Sequence, residues 1–152
     1  MLLSKACIYG IRATLYVGMQ EAGKYVPIST IAKELDISFH FLTKILQILT
    51  QNQIMVSYRG PNGGISLARA GSDIHLIEII EAIDGRKVFE ECILGMPGCG
   101  INKPCPLHDQ WALTRKPLLT MFTTTTVAEL ATRVKRDGLR LADVDKLVSG
   151  DR

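Results

Sequence analysis

The sequence predicts a mainly α-helical fold with one small β-hairpin, and three patterns carry that expectation. Two short runs of apolar residues at helical spacing flank a three-residue turn between residues 27 and 49. Two alternating segments follow at once and enclose a glycine-rich turn. Further on, a stretch from about 107 to 123 repeats apolar residues at helical spacing.

A chain of 152 residues, 47% hydrophobic and 22% charged, is globular in composition and long enough for one ordinary domain or a small domain with an appendage. The net charge of +3 is unevenly placed: residues 1–71 carry seven Lys/Arg against three Asp/Glu, and residues 72–152 carry eleven against twelve. A basic front half suits a polyanion such as nucleic acid. The opening Met1-Leu2-Leu3-Ser4-Lys5-Ala6 is apolar, but Arg12 cuts the run short and no small-residue cleavage site follows. No stretch reaches the roughly 18 uncharged apolar residues that span a bilayer. The protein therefore reads as cytoplasmic, without membrane contact, where disulfides are the less expected use of its four cysteines.

Residues 3–21 read as a helix with two apolar stripes, Ile8/Ile11/Leu15 and Tyr9/Ala13/Tyr16/Val17. Such a helix packs on two surfaces, its own domain and a second subunit. Gly23 and Pro27 break the pattern. Ile28, Ile31, Ala32 and Leu35 then mark a short amphipathic helix. After the turn Asp36-Ile37-Ser38, Leu42, Ile45, Leu46 and Leu49 mark a second one with Ser38 as N-cap. Alternation in Ile54–Tyr58 and Ile65–Leu67, around Arg59-Gly60-Pro61-Asn62-Gly63-Gly64, completes a hairpin. Helix-turn-helix followed by a hairpin is a winged helix-turn-helix, which points to double-stranded DNA.

On the second helix Ser38, His40, Thr43, Lys44 and Gln47 avoid the core stripe. Base readout comes from the first turns of such a helix, so Ser38, His40 and Thr43 are candidates for base edges and Lys44 for phosphate. Phe39 or Phe41 belongs to the core or meets a thymine methyl. In the wing, Arg59 is placed to enter a minor groove, carried by Gly60, Pro61, Gly63 and Gly64. A solvated hairpin charge is the plain alternative for Arg59.

Ser72 and Asp73 are candidate caps for a helix burying Leu76, Ile77, Ile80 and Ile83, with Gly85 as its stop and His75 on its surface. The helix from about 107 to 123 carries Trp111, Leu113, Leu118, Leu119 and Phe122, and Pro117 inside it predicts a kink or restart. Thr126-Val-Ala-Glu129 is a capping-box pattern opening a last helix with Val127, Leu130, Ala131 and Val134. Leu139, Leu141, Val144 and Leu147 leave the tail as a short helix or a loose end.

The segment between Gly85 and the helix from about 107 holds most of the chemistry. Cys92, Cys99, Cys105 and His108 fall in one stretch rich in Gly95, Pro97, Gly98, Gly100, Pro104 and Pro106, without helical or strand periodicity. Thiolates and imidazole bind zinc or iron–sulfur clusters, and a flexible backbone lets them converge. Three readings stay open: a cluster, structural zinc, and thiol chemistry without metal. Zinc prefers closer Cys-x₂-Cys pairs. A Cys–His enzyme lacks an orienting Asn/Asp and an oxyanion motif. Cys7, between Ala6 and Ile8, reads as a buried small hydrophobe.

Tyr9-Gly-Ile-Arg-Ala13, Ile37-Ser-Phe-His-Phe-Leu42, the wing Arg59–Gly64, Ile79-Ile-Glu-Ala-Ile-Asp84 and the three clustered cysteines together resemble the winged-helix regulator family of IscR, NsrR and CymR, over about residues 1–135. The resemblance implies a homodimeric DNA-binding transcriptional regulator, not an enzyme, whose long C-terminal helices cross between subunits. It divides the chain into a DNA-binding domain (1–85), a cluster-binding loop (86–108), dimerisation helices (109–135) and a tail (136–152). It also implies a [2Fe–2S] cluster on Cys92, Cys99, Cys105 and His108, of the IscR-like kind. Six residues separate the first two cysteines, where that branch has five, which leaves [4Fe–4S] possible. CymR-like members lack these cysteines, and the partner-subunit ligand of the nitric-oxide branch matches Ile8. A recognition-helix glutamate of the IscR-like branch is Thr43 in this chain. The expected signal is iron–sulfur status, redox state or nitric oxide, read by a dimer in which cluster occupancy orders residues 92–108 and biases the DNA-binding elements. The alternatives are a zinc- or thiol-based regulator and a winged-helix module that binds a protein.

Overall fold

The computed structural model describes residues 2–100 and 102–142; Val144, Leu147 and most of the predicted tail lie outside the described residues. Helix α1 (Lys5–Gly18) starts at Ser4, whose hydroxyl accepts from the Cys7 N–H at 3.0 Å. The helix is shorter at both ends than its apolar run suggested. Its buried side chains, among them Cys7, Ala13, Leu15 and Val17, pack against α3 (Phe39–Gln51), α4 (Leu76–Ile83) and α7 (Val127–Asp137) of the same chain. Gly10 permits that crossing, since a Cβ there would lie 2.4 Å from Ile83 Cδ1.

The helix-turn-helix is present as expected. Helix α2 (Ile28–Leu35) ends where Asp36 takes left-handed backbone, and Ser38 opens α3 with its hydroxyl toward the Phe41 N–H. Ile31, Leu35, Leu42, Ile45, Leu46 and Leu49 are all essentially inaccessible, so the apolar stripes of both helices meet.

Strands β1 (Met55–Tyr58) and β2 (Gly64–Leu67) pair antiparallel with Met55 opposite Leu67 and Tyr58 opposite Gly64. The alternation in β1 marks its outer face: Ile54 is buried just before the strand, Met55 is buried, and Val56 and Tyr58 are exposed. In a hairpin covered on one side, apolar side chains can remain on the open face.

The helix after the wing begins later than its apparent caps. Residues Gly71–Asp73 form a 3₁₀ turn, and α4 starts at His75, whose N–H donates to Glu78 Oε2 at 2.8 Å. A long-range pairing fixes that start: Leu76 N–H donates to Thr125 O at 3.0 Å and Val127 N–H to Ile74 O at 2.9 Å. The first turns of α4 and α7 are thus tied side by side. Thr126 caps α7 and accepts from the Glu129 N–H, as its motif predicts.

Between them, a single turn α5 (Lys87–Glu90) leads into the cysteine loop, and α6 (His108–Thr124) leads out of it. Helix α6 is continuous through Pro117, without the predicted restart. Phe122 is its one buried side chain, in an edge contact with Phe89 of α5 at 6.0 Å. Leu113 stands 78% exposed and Met121 48%. Among the described residues no helix is long and apolar enough to cross a membrane.

Candidate functional site

The first face of interest is a groove of about 750 Å³ between α3, the start of α2 and the wing. Phe39, Thr43 and Gln47 line it from α3 at intervals of four residues, one helical stripe, and Arg59, Gly63 and Gly64 line it from the wing. Among the described residues no carboxylate lines it. Of the residues expected to meet DNA, the fold therefore gathers Thr43, Arg59, Gly63 and Gly64 in the groove. Ser38, His40 and Lys44 are exposed on α3 beside it, and Gly60 and Pro61 are exposed at the wing tip.

Thr43 is not simply a free hydroxyl. Its Oγ1 donates to Phe39 O at 2.7 Å, so the hydroxyl proton is used within the helix and the oxygen faces outward as an acceptor, next to its methyl group. Phe39 is 48% exposed at the same end of the helix, whereas Phe41 turns inward against Tyr9, ring centres 5.7 Å apart. Phe39 and Gln47 belong to this surface. The signal was present in their avoidance of the Leu42/Ile45/Leu49 stripe, but an aromatic at such a place reads equally well as core.

The wing is held at its base by backbone pairing and by the buried side chains of Val26 and Ile65. Val26 and Ile65 exchange two hydrogen bonds of 2.8 Å, adding a one-residue third strand to the hairpin. Gly64 sits where a Cβ would fall 2.2 Å from Val26 O, so only glycine lets the two strands approach. Tyr58 stacks at a tilt on Tyr25, 5.6 Å between centres, and braces the Arg59 end of β1. The glycines predicted to meet DNA thus also set where Arg59 is presented.

The second candidate is the loop between α5 and α6. Cys92 is buried and Cys99, Cys105 and His108 are partly covered; all four cysteines of the chain are free thiols. The ligand candidates approach in pairs. Cys99 Sγ lies 3.6 Å from His108 Nδ1, and Cys92 and Cys105 are near enough to shift each other's titration in opposite directions. Among the described residues no three of these side chains converge closely enough to hold one metal ion. The Cys92 thiol is held below its ordinary pKa by the backbone N–H groups of Met96 and Leu94, helped by the Cys105 thiol and the Gly95 N–H, against the effect of burial. Cys105 is pushed the other way, first by burial and then by the Cys92 thiol.

Helix α6 holds the loop along one face. Trp111 Nε1 donates to Glu91 O at 3.3 Å, next to Cys92, and an Arg115 guanidinium N–H reaches Cys99 Sγ at 3.7 Å. Neither contact was visible in the sequence, where Trp111 counted only as an apolar helix residue. Cys7 is remote in character from this chemistry: it is fully buried, and burial, followed by the charge and hydrogen bond of Asp84, pushes its thiol up to about 12.

Comparison with known proteins places these features in a lineage. The model of the Rrf2 family, described as an iron-dependent transcriptional regulator, matches residues 3–133. The chain is similar to the HTH-type transcriptional regulator NsrR of Oceanobacillus iheyensis, 32% identical over 108 residues, covering 70% of this chain and 74% of the relative. It is also similar to the HTH-type transcriptional regulator IscR of Yersinia pseudotuberculosis, 29% identical over 135 residues, covering 89% and 80%. Among solved structures, CymR, the global cysteine regulator of B. subtilis, superposes with a TM-score of 0.74 at 20% identity, covering 86% of this chain and 95% of the other. IscR of T. potens does so with 0.73 at 20% identity, covering 91% of each. These two likenesses bear on the fold.

Proposed function

The chain belongs to the Rrf2 family of iron-dependent transcriptional regulators, and on that premise we propose that it is a homodimeric cytoplasmic repressor or activator whose grip on DNA is governed by an iron–sulfur cluster on Cys92, Cys99, Cys105 and His108. The gathering of three thiols in one loop, with the imidazole of His108 beside Cys99 at the first residue of α6, carries the reading. A [2Fe–2S] cluster asks for four protein ligands, and the segment offers three thiols and one imidazole, with Cys99 and His108 already 3.6 Å apart. The donor set fits such a centre: three thiols and an imidazole, none in a disulfide, with one thiol already favoured toward the ligating thiolate. When bound, the cluster supplies one-electron redox chemistry and reactivity of its own toward oxidants or nitric oxide.

What the chain's own residues do is separate from that chemistry. The carboxylate-free groove lets Thr43 and Gln47 face base edges while Arg59 meets the negative minor groove. Ser38, His40 and Lys44 extend the same surface toward bases and the phosphate backbone. Leu113 and Met121, on a 17-residue helix with one buried side chain, supply the apolar surface of a subunit interface. A 1–85 DNA-binding unit, the 86–108 loop and the 109–135 helices then divide the work. Helix α7, packed on α1 of its own chain, links the two ends.

Cys92 and Cys105, free thiols that perturb each other, favour one second reading, a metal-free thiol switch closing a disulfide on oxidation. One measurement separates the two. Protein purified without oxygen is expected to be coloured and to contain iron and acid-labile sulfide. Colourless protein that loses two thiols on mild oxidation supports the switch, and colourless protein with one bound zinc overturns both.

A further inference from the structure

We propose that Arg115 is a positioning residue of the cluster site, donating to the Cys99 sulfur and raising the reduction potential of the centre; this rests on the cluster reading above. His108 and Arg115 are seven residues apart on α6, two turns, and so lie on one face of it. Both reach the same atom: Cys99 Sγ is 3.6 Å from His108 Nδ1 and 3.7 Å from the Arg115 guanidinium. Trp111, between them on that face, fixes the start of the loop through Glu91 O. Among the described residues Arg115 has no carboxylate partner, and its side chain is half-buried against the loop. A guanidinium left without a counter-ion beside a sulfur is an unusual use of a conformationally costly side chain. It is explained when that sulfur belongs to a centre that gains negative charge.

The chemistry follows from charge. One electron from an external one-electron reductant adds one negative charge to a cluster without breaking a bond, and hydrogen bonds to the ligand sulfurs are among the factors that set how readily this happens. A cationic donor stabilises the reduced form more than the oxidised one. Arg115 lies two turns into α6, beyond the reach of the dipole of the first turn, so its own charge supplies the effect.

The test compares the full-length wild-type protein with R115K, R115Q and R115M, each reconstituted without oxygen and titrated with dithionite and mediators while the visible spectrum is followed. Both neutral variants are expected to disfavour reduction by about tenfold, a fall of about 59 mV for one electron, and R115K to stay near wild type. Equal potentials in wild type and neutral variants overturn the inference and leave the cluster reading standing. So does an R115K potential that falls as far as R115Q, because shape rather than charge then matters. If R115M alone fails to assemble a cluster, R115Q decides. If all three variants lose it, Arg115 merely holds the loop and the inference falls. Wild-type protein that assembles no chromophore overturns the cluster reading and this inference together.

Discussion

Replacing Gly64 with alanine should unseat the wing and cost the protein both stability and DNA affinity. The added Cβ would lie 2.2 Å from Val26 O and 2.7 Å from Pro27 N, backbone atoms that cannot swing aside as a side-chain end can. Relief comes only by parting β2 from Val26, which gives up the two 2.8 Å hydrogen bonds between Val26 and Ile65. Both residues are buried, so each lost bond costs about 1 kcal/mol. Forcing alanine into the φ of +157° at this position adds about 1 kcal/mol more. The sum is about 3 kcal/mol, or about 6–12 °C in melting temperature for a chain of this size.

Gly23→Ala is the matched control. Gly23 also has positive φ, +80°, but nothing lies within 4 Å of its missing Cβ. Its loss should show the backbone strain without the clash, about 1 kcal/mol. Urea unfolding followed by circular dichroism measures both variants, and fluorescence anisotropy with an operator duplex measures binding. G64A is expected to bind about tenfold more weakly than G23A, because Arg59 is presented by the strand pair that moves. Equal stability of the two variants would refute the reasoning, since it would mean that the wing base tolerates a Cβ.

Two further outcomes follow from the same geometry. Arg59→Ala should weaken DNA binding several-fold and lower the slope of log affinity against log salt by about 1, read by anisotropy at several salt concentrations; an unchanged slope would remove Arg59 from the phosphate-lined groove. Cys7→Ala should change the response to alkaline pH. The folded Cys7 thiol is pushed up to about 12 from 9.0, so above pH 9 the unfolded chain releases a proton that the folded chain keeps, and stability falls as pH rises. Relative to C7A, wild type should lose about 2 kcal/mol between pH 9 and pH 11; parallel curves from urea unfolding would show that the buried thiol is not what titrates.

The parts of this fold that could be read from the sequence are those set by local chemistry. Ser38 and Thr126 cap helices because a hydroxyl satisfies a free N–H wherever the flanking pattern is helical. The hairpin was legible because Gly60 and Asn62–Gly64 permit a turn that other residues resist. Ser72 and Asp73 misled for the opposite reason. Their local signal is good, but the Leu76 N–H to Thr125 O bond joins segments about fifty residues apart and decides where α4 begins. Alternation in β1 identified a strand without saying which side would be covered, and the exposed side holds Val56 and Tyr58. Of the candidate site, spacing singled out the four candidate donors. The pairing of Cys99 with His108, and the arrival of Arg115 at the same sulfur, depend on how α6 folds back over the loop.

The connection from that loop to the DNA face is short and made of few joints. Helix α6 begins at His108, takes hold of Cys99 and Glu91, and ends two residues before the Thr126 cap of α7. At that end Phe122 is wedged against Phe89, and Thr125 O receives the N–H that starts α4. Helix α4 packs directly on α3, the helix that carries Phe39, Thr43 and Gln47. A change in the loop that turns α6 therefore meets the Thr125–Leu76 joint before any flexible segment can absorb it. Close-packed Ile79 and Ile80, both fully buried, leave α4 little room to yield without moving its neighbour. Under the proposed function, a cluster bound in the cysteine loop would bias the attitude of α3 through this packed connection, to which Trp111, His108 and Arg115 fasten the loop.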